Sequence, residues 1–203
     1  MTIILILITV AISYAAFKSP KLMDQLQFNA SKIIHKNEYH RLVTHAFIHA
    51  NWEHLFVNMI VLFSFGQAIE SYFKYNFGNN QLLYFLLLYF GGILASNIYA
   101  LIKHRNNYFY NSVGASGAVS SILFAAIFFD PWNSIYFFGI LPIPGIVFAV
   151  LYLVYSYQMS HKQKDNVAHD AHFLGALYGF IFPVLLNPQL FETFLDKLFR
   201  LIE

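Results

Sequence analysis

Apolar residues run together in six stretches along the chain, at 1–17, 54–72, 80–103, 116–129, 135–158 and 168–186, and the polar positions collect between them. A helix that crosses a bilayer needs about 20 predominantly apolar residues, with about 17 as the lower limit. The fourth stretch falls short, because Asp130-Pro131 stops it about fourteen residues after Ser116. Such a helix does not cross the hydrocarbon core unaided. Ser116 is therefore expected below the membrane surface, reached by irregular chain that protein must cover. The pattern predicts an all-α membrane protein, a polytopic bundle of six transmembrane helices with a long, partly embedded first loop and a short fourth helix. The first stretch also resembles a secretory signal, with small residues in "SYAAF", but it lacks the positive flank of such signals and reads as a retained helix. After residue 186, Leu and Phe alternate with Glu, Asp, Lys and Arg at helical spacing. Residues 187–203 read as an amphipathic tail at the interface, following one domain over 1–186.

Composition sharpens this. Charged residues make up 11% of the chain, against roughly 25% in soluble domains. A net charge of +2 is too small to argue for nucleic acid, and the absence of cysteine excludes disulfides, thiolate metal sites and cysteine nucleophiles. The connection 18–53 is long but has no linker composition. It holds His35, His40, His45 and His49 among apolar residues, with His54 immediately beyond, and reads as a folded loop.

Three places carry polar groups that an apolar bundle does not need. In "NSVGASGAVS", Gly114 and Gly117 permit backbone geometry and close helix approach around Ser116. Gly117, Ser121 and Ala125 continue as a small stripe. Taken alone, "GASG" fits ordinary helix packing. In "VAHDAHFLGALYGF", His172 shares its helical face with Ala168, Gly175, Ala176 and Gly179, all small. A histidine in an apolar helix is costly and normally has a partner, and small neighbours let a second backbone approach. Two such stripes can meet, and an imidazole within reach of a serine hydroxyl makes a nucleophile–base pair. A core histidine bonded to a carbonyl is the bland alternative. In "HANWEHLFVNM", His54 and Asn58 lie four apart on one face, where both can donate to an oxyanion; hydrogen bonding between helices accounts for Asn58 equally well. His45 and His49 have metal-compatible spacing, but no carboxylate joins them at matching spacing, so no metal is expected. Asp170 lies two residues from His172, on another face, and is not assigned as a triad acid.

Together these motifs resemble the rhomboid intramembrane serine proteases, in their bacterial-type, six-helix basic form. "GASG" matches the nucleophile motif, "AHFLG" the histidine motif with its GxxxG continuation, "HLFVN" the HxxxN motif, Arg41 to His49 the RxxTHxxxH run of the first loop, and Gly66 and Glu70 the GxxxE motif. The resemblance implies Ser116 as nucleophile, His172 as base, and an oxyanion site of His54, Asn58 and the Ser116 backbone N–H. It implies loop support by Arg41, His45, His49, Gly66 and Glu70, and no cofactor. Its substrates would be transmembrane segments of other proteins, which enter sideways from the lipid bilayer past a fifth helix that "GILPIPG" interrupts through Gly139, Pro142, Pro144 and Gly145. The location implied is a bacterial inner membrane, with the site opening to the non-cytoplasmic side; nine Lys/Arg against three would then lie outside, the reverse of the positive-inside pattern. The sequence departs from the family twice. His40 precedes Arg41 where Trp is usual, and Ser120 stands where some relatives carry a tyrosine that stacks on the histidine. A transporter or channel, and a non-cutting binder of membrane proteins, are the alternative functions; the first fits poorly, because the polar groups gather at one end of the bundle.

Overall fold

The computed structural model describes residues 1–137, 140–162 and 168–199. Its helices are α1 (Thr2–Phe17), α2 (Pro20–Leu26), α3 (Ala30–Lys36), α4 (Arg41–Thr44), α5 (Trp52–Phe77), α6 (Gln81–Lys103), α7 (Ser116–Phe129), α8 (Gly145–Lys162), α9 (His169–Leu186) and α10 (Gln189–Phe199). Helix α7 is the hub. Every residue from Gly117 to Phe129 is buried, as expected of a helix that is apolar all round. It packs against α5, α6 and α9. Residues 52–103, which hold α5 and α6, and residues 169–186 are long and apolar enough to cross a membrane. Helices α1 and α7 are apolar but shorter, so for them and for α8 the six-span expectation rests on the apolar pattern.

The helix expected from residue 135 is not there. Residues Ser134–Phe137 (β1) and Leu141–Pro144 (β2) form an antiparallel hairpin in which Ile135 faces Ile143 and Tyr136 faces Pro142. The fold is therefore not purely α. Pro142 and Pro144 lack the N–H a helix interior needs, whereas a two-stranded hairpin has outer edges where proline is tolerated. Pro142 and Pro144 thus precede α8 instead of interrupting it, and α8 starts at Gly145. Gly139 lies outside the described residues.

The first loop is folded. Ser19 and Asn29 cap α2 and α3 by accepting the N–H groups of Leu22 and Lys32. The Asn29 amide donates to the carbonyls of Tyr108 and Tyr110, and Phe28 pairs with Ser112. These contacts staple the loop to the segment that leads into α7. Helix α10 docks on the end of α7. Phe194 of α10 stacks on Phe128 at 5.1 Å, and Lys197 Nζ donates to the Phe129 carbonyl at the end of α7 at 2.7 Å.

Candidate active site

The site is built around the first turn of α7. Ser116 opens that helix, where the first N–H groups have no partner within the helix. Helix α9 lies against α7 at glycine distance. A Cβ on Gly175 would sit 2.2 Å from the Gly117 carbonyl oxygen, and one on Gly179 2.0 Å from that of Ser121. Both pairs are offset by the same 58 positions (175 − 117 and 179 − 121), so the helices run parallel with their N-termini together. Ser116 adjoins one member of the first pair, and His172 stands three residues before the other. A Cβ on Gly117 would come 3.7 Å from the Ala171 carbonyl. The small stripes expected to meet do meet.

His54 approaches from α5. Asn51 caps that helix by accepting the His54 N–H at 2.8 Å, which fixes His54 in the first turn. Its ring packs against Gly114, where a Cβ would lie 2.5 Å from the His54 Cε1. Gly114 also has φ +118°, open to glycine alone among common residues. Asn58 is buried and donates one amide hydrogen to the His54 carbonyl at 2.9 Å. An amide has two hydrogens.

The loop histidines brace the chain before Ser116. The Gly114 N–H donates to the His45 carbonyl at 2.9 Å, and the Ala115 N–H donates to His49 Nε2 at 3.4 Å. On its other side His49 Nδ1 meets Ser13 Oγ at 3.0 Å, and Ser13 donates onward to the Phe47 carbonyl. This order of donors requires neutral His49 with its proton on Nδ1. Burial lowers its pKa to about 3, with a smaller push from the charge of His54. Burial lowers that of His45 to about 4, against backbone bonds to Leu42 and Gly114. The His45 Nε2 accepts from Asn97 at 3.1 Å. Arg41 is buried. It donates through Nε to Glu38 and through its terminal nitrogen to the Asp24 and Gln27 carbonyls, while Thr44 donates to that of Leu26. Gly66 and Glu70 lie away from the site. Glu70 accepts from the Thr2 N–H and hydroxyl, and Gly66 leaves room for the Thr2 side chain, so this motif ties α5 to α1. Among the described residues no cluster of acidic, histidine or cysteine side chains could hold a metal.

A cavity of about 20 Å³ lies beside Ser116, between His45, Ser96, Asn97, Gly114 and Ala171. That is room for one water. Ser96 and Asn97 are a buried polar pair within apolar α6, a signal the sequence carried unused. Tyr152 was also missed. The Ser120 and Tyr152 hydroxyls lie 2.6 Å apart, and the Tyr152 ring stands 6.3 Å from that of His172. Nothing marks Tyr152 among the aromatic residues of α8.

A family model described as the Rhomboid domain matches residues 36–189. The chain is 30% identical over 152 residues to RHOMBOID-like protein 12, mitochondrial, of Arabidopsis thaliana, which covers 68% of this chain and 43% of that protein. RHOMBOID-like protein 1 of the same plant is 32% identical over 164 residues, 79% of this chain and 38% of its own length. Rhomboid protease GluP of Bacillus subtilis is 27% identical over 150 residues, 74% of this chain and 26% of its own. The chain spans less than half the length of each of these three.

Proposed function

The chain belongs to the rhomboid family of integral membrane proteins, and from that premise we propose that it is an intramembrane serine endopeptidase acting on transmembrane segments of other membrane proteins. Ser116 attacks a peptide carbonyl while His172 accepts its proton. The charge developing on the carbonyl oxygen is met by the Ser116 N–H, His54 and the second amide hydrogen of Asn58, each such donor contributing about 2.7–4 kcal/mol to the transition state. His172 then protonates the leaving amine, and a water, activated by the same imidazole, hydrolyses the acyl-enzyme. The cavity beside Ser116 supplies a place for that water. Substrate arrives from lipid past α8, in a bacterial inner membrane and with the site toward the non-cytoplasmic side. Six spans are part of the same reading.

The observation that carries it is the parallel contact of α7 and α9 at Gly117–Gly175, with Ser116 and His172 at its head and His54 against Gly114. A transporter needs no such meeting of one serine, two histidines and a glycine-close helix pair at one end of the bundle. The test is labelling by a fluorophosphonate probe in detergent, alongside cleavage of a transmembrane reporter in liposomes. Wild type is expected to label and cut, and Ser116→Ala and His172→Ala to do neither. A well-folded wild type that fails to label would point instead to a binder that does not cut.

A further inference from the structure

Ser120 occupies the place where some relatives carry a tyrosine stacked on the histidine, so that ring is missing from α7. It is present on α8. Tyr152 stands over His172 with ring centroids 6.3 Å apart and planes inclined by 27°, within the range of offset aromatic pairs. Its position is fixed from several sides. The hydroxyl lies 2.6 Å from that of Ser120. The ring lies 5.4 Å from Phe124 of α7 and 5.7 Å from Phe148, one turn back on α8. Ser120 is itself buried. One turn further along, Tyr155 meets His169 edge-on at 5.4 Å, so two tyrosines of α8 face the two histidines at the start of α9.

We propose that Tyr152 is a positioning residue for His172, held at its depth by Ser120, and that the family's ring-on-histidine contact has moved here from α7 to α8. The inference rests on the serine-protease reading above. Its chemistry is orientational. A base works only while its lone pair points at the hydroxyl, and a flat neighbour restricts the imidazole's rotation without competing for its nitrogens. Because a misplacement of about 1 Å can cost about 100-fold in rate, loss of the ring is expected in turnover and not in substrate affinity. The arrangement also makes the base answer to α8. A displacement of that helix carries Tyr152 away from His172, so an opening of the bundle along α8 would slow the chemistry until α8 returns.

The test uses purified full-length protein in liposomes with a transmembrane reporter. Tyr152→Leu should lower kcat between about tenfold and about 100-fold with KM within about threefold of wild type. Tyr152→Phe, which keeps the ring and loses the hydroxyl, should lower kcat by about twofold to about fivefold, as for loss of one ordinary hydrogen bond. Ser120→Ala should match Tyr152→Phe. The double variant Ser120→Tyr/Tyr152→Ala, which returns the ring to α7, should recover most of the kcat lost in Tyr152→Ala. A merely structural tyrosine would instead lower melting temperature and activity together and would not be rescued by the exchange. An active wild type with Tyr152→Leu turning over as fast would overturn this proposal alone. Wild type that neither labels nor cuts would overturn the protease reading and this one with it. Should Tyr152→Leu fail to fold, Ser120→Ala decides: a kcat equal to wild type would refute the anchoring role.

Discussion

Gly175→Ala should disable the site more than it destabilises the fold. The added Cβ would lie 2.2 Å from the Gly117 oxygen and 2.9 Å from its carbonyl carbon. Ordinary contact begins near 3.4 Å, so 3.4 − 2.2 = 1.2 Å must be found. Both obstructing atoms are backbone of a helix buried from Gly117 to Phe129, so no side chain can swing aside. The two helices must part. Ser121 Oγ would report the separation: its bond to the Gly175 carbonyl, 2.8 Å, crosses between the helices and stretches as they part, whereas its contact with the Gly117 carbonyl, 3.0 Å, lies within α7 and does not. Overpacking of this kind costs about 1–3 kcal/mol, whereas a shift of about 1 Å between nucleophile and base costs about 100-fold in rate. Gly179→Ala is the comparison. Its clash, 2.0 Å from the Ser121 oxygen, is no milder but lies a turn further from Ser116. Fluorophosphonate labelling rates and melting temperatures, measured on both variants in one detergent, separate the effects. Labelling of Gly175→Ala at the wild-type rate would refute the claim that this contact sets the distance between the two groups.

Two further outcomes follow from the first loop. Burial holds His45 and His49 neutral, with pKa values of about 4 and about 3, while an unfolded chain titrates near 6.5. Between those values the unfolded state binds more protons, so the fold is fully supported above about pH 6.5 and loses support as pH falls toward 4. At pH 5 the loss is about 2 kcal/mol for each histidine. Melting temperature in detergent should drop from pH 7 to pH 5, and less steeply in His45→Leu; equal slopes would count against burial as the cause. Arg41→Lys should cost about 1–3 kcal/mol, because a single ammonium cannot serve Glu38 and two separate carbonyls as the guanidinium does. An unchanged melting temperature would show those bonds to be dispensable.

What could be read from the sequence was what depends on periodicity. The stripes through Gly117–Ser121 and Gly175–Gly179 announced a close helix pair because small residues at spacing four lie on one helical face, and α7 and α9 meet there. Hydropathy could not tell the β1–β2 hairpin from a helix, since a short apolar run has the same mean in either form; the two prolines of "LPIP" were the better signal. The loop histidines showed their type but not their work, because their partners, Ser13, Asn97 and the Ala115 N–H, come from three distant places in the chain.

Ser120 and Tyr152 show why a motif comparison confined to one helix misjudges a site. Compared position by position, Ser120 is a loss, for it removes an aromatic ring from the histidine. In the fold, the smaller side chain leaves room at α7 for a ring from α8, and its hydroxyl meets the phenol at 2.6 Å. On the proposed mechanism the histidine needs a flat surface at stacking distance, and any helix whose side chains reach that distance can supply it. The two positions are therefore coupled, so single substitutions at each should not add. Ser120→Ala combined with Tyr152→Phe should cost no more in kcat than either alone, since each removes the same hydrogen bond; losses that multiply would mean the two hydroxyls act on His172 by separate routes.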